Sequence, residues 1–328
     1  MRRELSNSDA MSGLSCPASL AAALLLPLFF AGVTATTAQS FAEDERIHTL
    51  ENSVRVATEK HAGPEELGNL WRALAIYYQN ELDVDKAEDA YNHAIRLLRD
   101  TQLKAQYAGS LHGVAQIYVM ESRLKEAQKD LALALTIFEG IGDTRSAASV
   151  RETVAVALMR DHKFKEAEIE ASRVVAMLES IDHPVMSELE NAYATRARAV
   201  AGQGRPEDAI RDATHAHALA MENSGANSIN SMVTLLVQGE VQMQAGLEGA
   251  GEQSITEALK LERSRTDLPR VMSSTLEASM LEVAATSLRR AHGKQDAKAL
   301  EEQMRQAQSA ARAGCGGCTV SVSSLLSQ

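Results

Sequence analysis

From about residue 42 to residue 311 the apolar positions recur at helical spacing, and alternation of the strand type is almost absent. The run LWRALAIYYQNELDVDKAEDAYNHAIRLL, Leu70 to Leu98, holds the chain's single tryptophan and shows the pattern most fully. Trp71, Leu74, Ala75 and Tyr78 fall on one face of a first helix. After a turn at Glu81 to Asp85, Ala87, Tyr91 and Ala94 fall on one face of a second. Two antiparallel helices approach closely only where one side of the contact is small. Ala75 and Ala87 are therefore expected at the crossing, with the aromatic rings filling the space around them. Pro64, Pro184, Pro206 and Pro269 fall where helices would start or stop, as in GPEEL, DHPVM and GRPEDA, where the missing N–H of proline costs nothing.

The pattern repeats. Leu111, Val114, Ala115 and Tyr118 precede Ala127, Leu131 and Ala134; Val154, Ala155 and Leu158 precede Ala167, Ala171 and Val174. Tyr193, Ala197 and Val200 precede Ala209, Ala213 and Ala216, and a weaker copy joins Leu235 and Gly239 to Gly251, Ile255 and Ala258. A degenerate sixth copy is Leu281, Ala284, Ala285 and Leu288 with Ala297 and Met304. Ala87 to Ala127 and Ala127 to Ala167 are each 40 residues, and the next two intervals, to Ala209 and Gly251, are each 42. Arg151 replaces a bulky apolar residue in the third copy, and Gln238 and Gln242 weaken the fifth.

These residues resemble the tetratricopeptide repeat, whose W-x2-L-G-x2-Y and A-x3-F pattern is met with Ala75 for glycine and Tyr91 for phenylalanine. The period is about two helical turns longer than the usual ~34 residues, similar to kinesin-light-chain-like repeats. The resemblance implies an all-α fold, a right-handed α-solenoid of antiparallel helix pairs, with about five to six repeats over residues 67–312. Ile47, Leu50, Val54 and Ala57 form an amphipathic helix expected to cap the first repeat, within residues 39–66. Residues 313–328 are left as a cysteine-containing tail.

Composition adds a location. Ala10 to Ala42 carry no charge, Leu20 to Val33 are strongly apolar, and Arg2 and Arg3 precede them. With the small residues of TATTAQS after it, residues 1–38 read as a signal peptide cleaved after Ala38 or Ala35, which places the mature chain outside the cytoplasm, periplasmic or secreted. Contact with a membrane is expected only if that segment is retained. A net charge of −11 without a basic stripe excludes nucleic acid as the natural partner. With 45% hydrophobic but only 4% aromatic residues, the core must be built from alanine, leucine and valine.

No catalytic constellation emerges, and neither an enzyme nor a cofactor is expected. GSLHG at Gly109 to Gly113 has its serine in the wrong place for a nucleophile elbow. GLEGAG at Gly246 to Gly251 lacks the lysine of a phosphate loop and reads as a turn. His215 and His217 are two apart on a helix and face different ways, so they do not make a metal site. Cys315 and Cys318 are the sharpest local feature. In an exported chain they read as a local disulfide, with a redox pair and a metal site as the alternatives.

The first helix of each pair in such a superhelix lines its concave face. The residues beside the packing face would then read a partner: Asn69, Arg72, Ile76, Gln79 and Asn80; His112, Gln116, Val119 and Met120; Glu152, Val156, Met159 and Arg160; Asn191, Ala194 and Arg198; and Leu236, Glu240 and Met243. Arginines at the rims and methionine and valine between them suit a peptide or protein segment that is acidic and carries apolar anchors. The expected function is an exported interaction module or scaffold. The alternative is an extracytoplasmic thiol-redox protein using the Cys315/Cys318 pair, with the repeats selecting its client.

Overall fold

The computed structural model describes residues 37–81, 83–265, 270–291 and 294–314. Among them lie thirteen α-helices and no strand. A leading helix α1 (Thr37–Glu59) is followed by six antiparallel pairs: α2 (Pro64–Asn80) with α3 (Val84–Leu98), α4 (Lys104–Met120) with α5 (Leu124–Gly140), α6 (Thr144–Arg160) with α7 (Phe164–Glu179), α8 (Met186–Ala201) with α9 (Pro206–Asn223), α10 (Ile229–Gln244) with α11 (Glu248–Arg263), and α12 (Arg270–Ala291) with α13 (Lys294–Gly314). The degenerate sixth copy therefore folds as a full pair. Residues 1–36 of the expected leader, Cys315 and Cys318 lie outside the described residues.

The helices start where local chemistry starts them. Pro64 and Pro206 sit in the first turns of α2 and α9. The carboxylates of Asp83 and Asp143 accept from the backbone N–H groups of Lys86 and Ser146, and the Ser228 hydroxyl accepts from Ser231 N–H. Ser122, His162, Gly204 and Gly246 occupy corresponding places in four of the turns between paired helices, and all have φ between 58° and 76°. Two of the four are not glycine, so the turn geometry is imposed by the helices on either side of it.

Small residues stand at the crossings, as the spacing predicts. Ala75, Ala87, Ala127, Ala155, Ala167, Ala197 and Ala209 are fully buried. In the fifth pair both partners are glycine: a Cβ added to Gly239 or to Gly251 would come within 2.9 Å of the other's carbonyl oxygen, so α10 and α11 touch backbone to backbone. The departures from the repeat pattern are compensated by polar contacts. Arg151 bridges Glu139 on α5 and Glu170 on α7. Gln238 donates to Thr214 on α9, and Gln242 accepts from Ser254 on α11.

The order of packing bends the stack. Each first helix packs on its own partner and also on the first helix of the next pair, in an unbroken row from α2 to α12. Among the described residues no second helix packs closely on another second helix. The first helices thus form the inner, crowded row and the second helices the outer, splayed row. No described helix is long and apolar enough to cross a membrane.

Candidate functional site

Every pair contributes its first helix to the inner row, and the polar residues of that row join neighbouring pairs. At its start, Gln79 on α2 donates through Nε2 to Gln116 Oε1 on α4 (3.1 Å) and accepts from the Tyr91 hydroxyl on α3 (2.6 Å). One step further, His112 on α4 meets the Thr153 hydroxyl on α6 at 2.8 Å. Burial holds the His112 imidazole down to about 4, so at neutral pH it is an uncharged strut. Arg160 at the end of α6 reaches back through Nη1 to the Met120 carbonyl (3.2 Å) and the Ser122 hydroxyl (3.1 Å).

Several residues expected on the open wall are inside it. Val156 and Met159 on α6 are 1% and 5% exposed and belong to the main core cluster, because the inner helices converge there and cover them. Met243 is buried, its sulfur and Cγ pressed toward Gly251 of α11, where the missing side chain leaves room. Arg198 is also buried, and its Nε donates to Glu240 on α10 at 2.9 Å in a closed ion pair. It serves as an interhelical tie instead of a free cation at a rim. Ile76 is exposed, and Arg72, Gln79, His112, Gln116, Met120 and Arg160 remain partly accessible. The accessible part of the expected site is therefore concentrated on α2, α4 and the end of α6.

The spacing named Glu240 but left out two other carboxylates of the far half. Glu190 on α8 is fully buried and accepts from Asn230 on α10 at 2.8 Å. Glu282 on α12 is half-buried, and burial pushes its carboxyl up to about 7 against the opposing pull of Arg160 and Arg289. Burial in turn brings Arg160 down to about 10, with Glu282 acting against that shift. Arg160 on the third pair and Glu282 on the sixth thus sense one another across the inner face. No local signal marks either glutamate, since α8 also carries Glu188, Arg196 and Arg198, and α12 also carries Glu277 and Arg289.

Five buried side-chain atoms on the inner row have no hydrogen-bond partner: Arg72 Nε, Arg160 Nε, Arg198 Nη2, Glu190 Oε1 and Glu282 Oε2. Among the described residues, none of the outer-row helices carries such an atom. Donors and acceptors are both present in the set, spread from α2 to α12. No group of three or more His, Cys, Asp or Glu able to hold a metal ion occurs among the described residues.

No family model matches this sequence, and comparison with curated proteins gives no match. Solved structures do match. The apo form of RapI is similar with a TM-score of 0.70 and 13% identity, over 84% of this chain and 97% of that one. A Rap protein complexed with competence and sporulation factor gives 0.54 and 13%, over 75% and 77%. A putative kinesin light chain of Podosopora anserina with nearly identical TPR-like repeats gives 0.50 and 17%, over 61% and 95%. At these identities the likeness establishes the fold, a solenoid of tetratricopeptide-like helix pairs.

Proposed function

We propose that this chain is a non-enzymatic interaction module that holds a segment of a peptide or protein along its inner row. The observation that carries this reading is the presence of five partnerless buried polar atoms on the inner-row helices and none on the described outer-row helices. Burying such atoms costs about 1–3 kcal/mol each unless a ligand or water completes them. A peptide suits the mixture, because each of its units brings one N–H donor and one C=O acceptor. Arg72 and Arg160 favour acidic groups on that segment, and Ile76 and Met120 offer apolar anchorage between them. One of the similar folds is a Rap protein in complex with competence and sporulation factor, which supports partner binding as a use of this architecture. The charged start, apolar run and small residues of the leader support export as the setting.

The test is selection of peptides from a random display library on the chain beginning at Gln39, followed by calorimetry. Selected peptides should bind Arg72→Gln or Arg160→Gln about 1–3 kcal/mol more weakly. Arg173→Gln, on the outer row and paired with Glu170, should leave binding unchanged. Circular dichroism of each variant separates lost binding from lost folding. Peptides that bind all three variants as tightly as the parent would show that the inner row is the wrong surface.

A further inference from the structure

Away from the inner row, the amino-terminal end of the solenoid carries a second concavity. A cleft of about 390 Å³ opens where α1, α2 and α3 meet. Its apolar floor is Val54, Leu74, Tyr78 and Trp71; its rim carries Glu51 from α1 and Asp85 and Asp89 from α3, with Lys86 between them. The floor is rigid: Val54, Leu74 and Tyr78 are buried, and Trp71 is stacked on His93 with centroids 4.3 Å apart and planes 13° from parallel. Tyr78 donates its hydroxyl to Glu51 at 2.7 Å, which ties α2 to α1 across the cleft.

The rim stays available. The side chains of Glu51 and Asp89 are 43% and 71% exposed, and Asp85 has no ion-pair partner among the described residues. The cleft already accommodates one cation of its own. Lys86 Nζ lies 5.2 Å from the centroid of the Tyr78 ring while paired with Asp83 at 2.7 Å. Aromatic surface flanked by carboxylates is the environment that a guanidinium or ammonium group prefers, since ring quadrupole and formal charges act in the same direction.

We infer that this cleft is a docking site for a basic segment of a partner protein, which places an arginine or lysine side chain over the aromatic floor between Glu51 and the Asp85/Asp89 edge. The three carboxylates stand on two helices, so a chain crossing from α1 to α3 can meet them all, whereas a lone small amine would meet only some. The charge preference is opposite to that of Arg72 and Arg160. The inference does not depend on the inner row binding anything.

Trp71 is the only tryptophan in the chain, so its fluorescence reports on this cleft alone. The probe is a blocked Gly-Arg-Gly-Arg-Gly peptide, compared with its glutamine counterpart and with arginine amide. The arginine peptide should produce a saturable change that the glutamine peptide does not, and added salt should weaken it. Asp85→Asn combined with Asp89→Asn should raise the dissociation constant about tenfold. Glu51→Gln, on a different helix, should raise it independently, so damage to the start of α3 cannot account for both results. Equal changes with the arginine and glutamine peptides would overturn the inference. Arginine amide binding as tightly as the peptide would overturn the docking of a segment.

Discussion

Glu152 lies on the inner face of α6, 3% exposed, with the Thr195 hydroxyl of α8 donating to it at 3.3 Å. One neutral hydrogen bond does not replace the water it lost. Burial therefore raises its carboxyl from 4.5 to about 8, with the nearby Glu188 charge adding to the shift. Between those two pH values the folded chain keeps a proton that the unfolded chain has released. Stability falls through that window as pH rises, and levels off above about 8. Glu152→Gln keeps the shape and removes the titration. Its stability relative to the parent should rise by about 2–4 kcal/mol between pH 5 and pH 9. Urea unfolding at pH 5, 7 and 9 measures this directly, and a difference that does not vary with pH would mean that Glu152 is solvated. Single residues also decide how near two helices come. At Gly113 an added Cβ would stand 2.3 Å from the Tyr91 ring, the ring whose hydroxyl holds Gln79 in place.

A helix pair is held by its seam. Ala127 on α5 is fully buried against α4 in the second pair, with Leu131 and Ala134 continuing the same face. Ala127→Leu inserts three carbon atoms where no space exists, and should cost about 1–3 kcal/mol. Because each pair leans mainly on its neighbours, the loosening should be greatest around residues 108 to 174 and fade toward both ends. Hydrogen exchange followed by mass spectrometry reads that profile, and uniform loosening along the chain would contradict the nearest-neighbour picture. Seams differ in what fills them. The buried residues of α9 are Ala209, Ala213, Ala216 and Ala220, so that helix approaches α8 and α10 closely but contributes little area per residue. In the first pair, Tyr91, Ile95 and Leu98 bring far more.

Across the whole molecule the apolar contacts divide into one large cluster and two smaller ones, around α8–α10 and around α6–α8. The chain is thus a linear array with uneven links, and all-or-none unfolding is not expected of it. Trp71 watches the first pair, while far-ultraviolet circular dichroism averages over every helix. The two signals should give different midpoints in a single denaturant titration, and coincident curves would show that the array melts as one unit. The architecture was legible because the repeat writes itself into the sequence: Ala87, Ala127, Ala167 and Ala209 recur at fixed spacing and are all buried. The site was legible only in part. Arg72, Ile76, Gln79 and Met120 keep access to the inner face, whereas Val156, Met159, Arg198 and Met243 are covered. Which of them is covered depends on how sharply successive pairs turn, a property of the contacts between first helices that the pattern within one repeat does not encode. Glu190 and Glu282 were missed because the contacts that bring them to the inner face, with Asn230 and with Arg160, run between separate pairs.

Ser122, His162, Gly204 and Gly246 follow one another at 40, 42 and 42 residues, all with positive φ. They are interchangeable joints, and the stretch between any two of them is one complete link. A chain made this way lengthens or shortens by copying or losing a link from joint to joint, with no interior seam redesigned. Such a change would alter the reach of the inner face before it altered its chemistry, so the length of what can be held is inherited separately from what is recognised.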